Sequence, residues 1–213
     1  MRVLAVHEAR AVETPPAVAA AGTARAARAL GLAAVVLVGV NLRPAITSVA
    51  ALLGEVSTQF ALDPLAASVL VTLPVIALGA SAPLGPWLAR RLGVAWALTA
   101  TMIALAAALS LRVTGAAPLL VGTVVAGAAI MAASTLVPQY LKSLSAGGLW
   151  VGISTMSFGA GAAAGAGLTA PLYAWFGADA RLAIGAWAAL AAAAALAMAA
   201  AARGSGRSDG GAA

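Results

Sequence analysis

Cysteine is absent from the chain and histidine occurs once, at His7. The first absence removes disulfides, thiolate nucleophiles and cysteine metal sites, and leaves the redox compartment open. The second leaves no Ser–His or Cys–His dyad outside the N-terminal segment. Charge is scarce too: Asp, Glu, Lys and Arg make up 8% of the residues, against about 25% in ordinary globular proteins. All 6 carboxylates fall in predicted loops or tails, so no paired acid and base, no carboxylate metal cluster and no buried proton carrier is expected at depth. Gly152-Ile153-Ser154-Thr155 has a faint likeness to a serine-hydrolase turn, but it sits in an apolar run without a base. The expectation is a chain that is not an enzyme and holds no cofactor or metal.

What is there instead is apolar: 63% of 213 residues, with a mean hydropathy of +1.02. This is the composition of an all-α, polytopic membrane protein. Six stretches are each near the ~20 residues that a spanning helix needs: Ala29–Leu53, Ala66–Leu88, Val94–Leu111, Pro118–Tyr140, Leu149–Tyr173 and Leu182–Ala202. They predict a six-helix bundle over residues 29–202, between disordered tails at 1–28 and 203–213. With a cytoplasmic N-terminus, nine basic residues fall inside (Arg2, Arg10, Arg25, Arg28, Arg90, Arg91, Lys142, Arg203, Arg207) and two outside (Arg112, Arg181). That bias predicts a multi-pass protein of the cytoplasmic membrane with both termini cytoplasmic. It also explains the net charge of +6 better than a nucleic-acid partner does.

One stretch departs from this apolar pattern. Asn41-Leu42-Arg43-Pro44 puts a guanidinium and a helix-breaking proline inside the first run. A charge near the middle of a bilayer costs at least ~2.5 kcal/mol, which makes Arg43 a functional candidate. Counted helically at ~1.5 Å per residue, it lies about 15 Å from Leu53 and about 21 Å from Ala29. Its bland alternatives are snorkelling, or bonding the carbonyls freed near Pro44. Asn41 offers a hydrogen bond to a solute, or equally a helix–helix contact. Thr72 and Pro74 lie at similar depth in the second helix, and Ser134 and Pro138 share a face of the fourth. Gly161 and Gly165 in the fifth helix have the spacing of close helix packing, with Gly159 and Gly167 beside them. Substrate contact is therefore expected of Asn41, Arg43, Thr72 and Ser134, and kinks at Pro44, Pro74 and Pro138.

At these residues the chain resembles the cyanate and nitroimidazole transporter group of the major facilitator superfamily. The resemblance covers about residues 36–200 and is carried first by Asn41 through Val49 (NLRPAITSV). Thr72-Leu73-Pro74, Ala89-Arg90-Arg91-Leu92-Gly93, Gly127 through Pro138 and Lys142 are similar to the group's pattern as well. Arg90 stands where the superfamily's loop signature usually has aspartate, and Pro86 where it has glycine, while Arg91 and Gly93 match it. Ser134 stands where the group tends to have asparagine. The resemblance implies transport of a small polar or anionic solute, cyanate- or nitroimidazole-like, across the lipid bilayer. It covers only the first of two six-helix halves, so the expectation is a fragment, or a half that needs a second half or another protomer. A non-transporting six-helix scaffold or assembly partner is the alternative.

Overall fold

In lipid, a backbone with no water to bond must satisfy itself, and these apolar runs do so as helices. The computed structural model describes the backbone of residues 16–209 and side chains within 25–204; His7, Glu8, Glu13 and the far ends of both expected tails lie outside that range. Ten α-helices and no strand are formed among the described residues. They are α1 (Pro16–Asn41), α2 (Pro44–Ala51), α3 (Leu53–Gln59), α4 (Pro64–Ala80) and α5 (Leu84–Leu92). Then come α6 (Val94–Leu111), a 3-10 turn (Arg112–Thr114), α7 (Ala116–Ser143), α8 (Gly148–Trp175), α9 (Ala180–Gly185) and α10 (Trp187–Asp209). Five segments are long and apolar enough to cross a membrane, and α4 with α5 makes a sixth if that bent pair is one span. The protein is a multi-pass membrane bundle.

The third predicted stretch coincides with α6, while other boundaries differ for identifiable reasons. Helix α1 begins at Pro16 and α10 runs to Asp209, so helix extends into both segments expected to be tails. The alanine-rich run after Pro16 has high helix propensity and needs only a nucleus, which the buried part of α1 supplies. Asp63 caps α4 by accepting from the Ala66 amide at 2.6 Å, and α3 fills part of the predicted loop before it. Neither Pro74 nor Pro138 interrupts its helix. The sharp bend of the second span, 54°, falls instead at Ser81–Pro83, between α4 and α5. Pro44 does coincide with a break, between α1 and α2.

Packing runs in the order α4, α7, α6, α10, α1 with α2, and α8. The core is centred on α6, through Leu98, Met102 and Leu105, against Leu136, Val38 and Met198. Helices α4 and α8 close the two ends of this order and leave much of their length uncovered. Val75, Ile76, Met156 and Leu168 are all exposed, an apolar surface that belongs against lipid or another helix. The glycines of α8 divide sharply. A Cβ on Gly161 would strike the carbonyl of Val40, and one on Gly165 would come within 2.7 Å of the Pro44 Cα. Gly159 and Gly167 face open space. Close packing thus explains two of the four glycines, and both lie on the α1–α2 break.

A second cluster ties α3 to α9 at one end of the bundle. Gln59 Nε2 donates to Asp179 Oδ1 at 2.8 Å, and the Ala180 amide donates to Gln59 Oε1 at 2.7 Å. Asp179 also caps α9 by accepting from the Arg181 and Leu182 amides. Arg181, counted from the sequence among the basic residues outside, lies 4.8 Å from the Phe60 ring and donates to the Gln59 carbonyl. The Gln59 hydrogen bond, aided by the backbone amides and Arg181, holds the Asp179 carboxyl below its ordinary range. A depressed carboxyl contributes stability that is present above its unfolded pKa and lost as pH falls through the folded one.

Two measurements follow from this packing. G161A and G165A should each lose about 1–3 kcal/mol in unfolding experiments in detergent, as overpacked sites do, whereas G159A and G167A should be neutral or slightly stabilising. Equal effects at all four positions would contradict the close approach. D179A should lose about 1 kcal/mol at neutral pH, the usual worth of a helix cap. That deficit should shrink as the pH falls to ~3, below the ordinary carboxylate pKa; a deficit independent of pH would remove the carboxylate from the account.

A candidate solute site at the break in the first helix

Proline has no amide hydrogen, so Pro44 withholds a bond from the carbonyl of Val40, four residues earlier. The helix responds by stopping at Asn41 and restarting at Pro44, which takes the first helical position that suits it. Arg43 is the N-cap of α2, and its carbonyl accepts from the Ile46 and Thr47 amides at 3.0 Å and from Thr47 Oγ1 at 3.1 Å. Its side chain is exposed. No hydrogen bond or ion pair holds the Arg43 guanidinium among the described residues. On one side of its stripe Thr47 faces Gly165 of α8; on the other, Ile46 and Ala50 face a cavity shared with α4. The cation therefore sits on the uncovered face between the two end helices.

The other predicted contacts do not gather around it in the same way. Asn41 is 3% exposed, and its Nδ2 donates to the Leu37 carbonyl at 2.9 Å. Thr72 Oγ1 donates to Ser68 and lines a shallow groove on α4 with Ser68, Val69, Leu73 and Ile76. Ser134 is half-buried and donates to the Ile130 carbonyl at 2.8 Å; Pro138, one turn on, is exposed. Gln139 Nε2 donates to the Thr135 carbonyl. Each of these polar groups is bonded to its own helix, which lowers the cost of placing it in a membrane. Pro74 is buried, against the cavity shared by α2 and α4. In the last turn of α5, Arg91 lies 5.8 Å from the Trp87 ring, and Gly93 separates α5 from α6 at a φ of +78°, where a glycine is needed.

One residue was misplaced by sequence reasoning. Arg112 is read from the sequence as a loop charge, but the structure buries it at 1% exposure. Its Nη1 donates to the Ala45 carbonyl of α2 at 2.5 Å. The stem lies over Gly122 of α7, where a Cβ would come within 2.9 Å of the Arg112 Cγ. Bonding a carbonyl beside Pro44, the bland role considered for Arg43, thus falls to Arg112. The Arg112 Nε and the Ser48 hydroxyl are buried without a hydrogen-bond partner among the described residues. The available signal was slight: an arginine at the edge of an apolar run, with a stem long enough to fold back.

The chain is similar to known proteins in one respect that bears on this geometry. It is 30% identical over 141 residues to a Bacillus subtilis (strain 168) protein described as the uncharacterized transporter YycB. The match covers 65% of this chain and 35% of that relative, so the chain spans about a third of the relative's length. No protein-family model matches the chain, and no solved structure matches it. A membrane-helix bundle with a transporter-like relative is what the fold and the comparison together establish.

Proposed function

We propose that this bundle is one half of a major-facilitator-type transporter, moving a small polar or anionic solute of cyanate or nitroimidazole type. The observation that carries the reading is Arg43: an exposed cation on the broken first helix, with no carboxylate bonded to it among the described residues. Broken helices at mid-membrane, with half-helix N-termini toward anionic groups, are the recurring design of secondary transporters. The similarity to a relative described as a transporter supports the same reading. A second six-helix half, or another protomer, covers the face between α4 and α8. Support comes from α8, which leaves large apolar side chains such as Met156 and Leu168 exposed within the bundle. The protein sits in the cytoplasmic membrane with both ends cytoplasmic, as the distribution of basic residues favours. Transport rather than catalysis is its task.

Binding of radiolabelled cyanate to purified protein tests the role of Arg43 directly. R43A should weaken binding by roughly tenfold or more, as expected when a hydrogen bond to a charged group is removed. R43K distinguishes a point charge, which restores binding, from the planar fork of arginine, which lysine does not replace. Unchanged binding in both variants at equal expression would refute the assignment. A six-helix scaffold would bind no such solute at all.

A further inference from the structure

Charge is divided between the two ends of the bundle, and one corner combines cations with apolar side chains. Helix α5 buries Gly85 against α7, where a Cβ would strike the Thr135 hydroxyl and come within 2.8 Å of the Ala132 carbonyl. Leu88 and Ala89 of the same helix pack on the core. That seating leaves Trp87, Arg90 and Arg91 exposed. Trp87 shares a face with the two arginines, three and four residues on, and the Arg91 guanidinium lies over its ring. Leu92, next in the chain, and Trp96, in the first turn of α6, are also exposed. Gly127 of α7 meets Ala77 of α4 with the same sequence offset by which Thr135 meets Gly85. That register brings Lys142, exposed as well, level with the end of α5. Among the described residues, no hydrogen bond or ion pair holds the side chains of Arg90, Arg91 or Lys142. The described carboxylates lie at the other end: Glu55 on α3, Asp63 at the N-cap of α4 and Asp179 at the N-cap of α9. The 17 residues of α4 alone put about 25 Å between Asp63 and α5.

We propose that this corner binds the headgroup of an anionic phospholipid, with the phosphodiester against Arg90, Arg91 and Lys142 and the acyl chains along Trp87, Leu92 and Trp96. Complementarity sets the charge. Three exposed cations with no described carboxylate beside them attract an anion and disfavour a headgroup that brings its own ammonium. The apolar side chains set the class. A free anion such as inorganic phosphate would leave Trp87, Leu92 and Trp96 uncovered, whereas an amphiphile covers them and meets the cations at once. Tryptophan takes the headgroup level in membrane proteins, and the arginine fork matches two phosphate oxygens. Such a site is independent of Arg43 and of any solute.

Fluorescence quenching by brominated lipid tests the site in the reconstituted full chain. In a W150F, W175F background Trp187 is buried, so Trp87 and Trp96 are the tryptophans open to the quencher. The protein is placed in phosphatidylcholine vesicles holding a small, fixed fraction of acyl-brominated lipid, either phosphatidylglycerol or phosphatidylcholine. Phosphatidylglycerol should quench several-fold more strongly, since each cation near an anionic headgroup favours it by about fivefold. R90Q with R91Q should bring the two lipids to parity, and K142Q should lower the preference part of the way. R25Q with R28Q removes two other exposed cations of the same end, where Arg28 donates to the Ser145 carbonyl, and should leave the preference intact. Equal quenching by the two lipids before any arginine is changed overturns the site. A preference that survives R90Q with R91Q, or K142Q, undiminished overturns it as well. So does one that R25Q with R28Q abolishes, which reduces the corner to the diffuse positive charge of that end, or one that millimolar inorganic phosphate displaces, which makes the occupant a free anion. Should R90Q with R91Q fail to insert, K142Q and the R25Q, R28Q pair decide the question.

Discussion

The hydrogen bond that Pro44 cannot make is the constraint on which the middle of this bundle depends. Without it α1 and α2 are separate helices, and the peptide groups between them need something other than the helix ladder to hold them. The fold supplies close packing on one side and a charged donor on the other. Gly161 and Gly165 let α8 approach the Val40 carbonyl and Pro44, and Arg112 reaches Ala45 from the turn after α6. A bulkier residue at either glycine would push α8 off the break. These devices hold a discontinuity that would otherwise be a weak point in a membrane helix.

The break also separates two arginines with opposite environments. Arg112 is enclosed and serves the backbone of α2, whereas Arg43 stands at the start of the same half-helix and is left free. A lone arginine exposed to lipid would be expensive. Arg43 lies on the face of α2 between α8, which meets Thr47, and the α4 side, which Ile46 and Ala50 face. The two guanidiniums thus meet the first turn of α2 differently, Arg43 as its exposed N-cap residue and Arg112 as a buried donor to the Ala45 carbonyl.

Much of this was legible in the sequence, and the rest was hidden for physical reasons. Apolar runs of membrane-spanning length announce helices, and α6 ends where its run ends, at Leu111. Pro44 was readable as a break because Asn41 and Arg43 flank it with polar groups. Pro74 and Pro138 carry the same residue type without breaking their helices, since packing of a neighbouring helix decides whether a lost bond becomes a bend. Arg112 was misread because charge counting treats every basic residue beside an apolar run as wet. A long side chain can turn either way from there, and only the space left by Gly122 shows which. Asn41 illustrates the same limit: its position near Arg43 was plain, but the direction of its amide, back to Leu37, was not.

The central claim is that the break presents position 43 to water within the membrane span while its neighbours on α2 stay enclosed. The absence of native cysteine makes thiol labelling the direct measurement. In membranes, R43C should react rapidly with a small, charged, membrane-impermeant thiol reagent, because reaction requires a hydrated thiolate. A45C and S48C, on the buried face, should react slowly or not at all. An R43C variant as unreactive as A45C would place position 43 in lipid or protein, and would contradict the account.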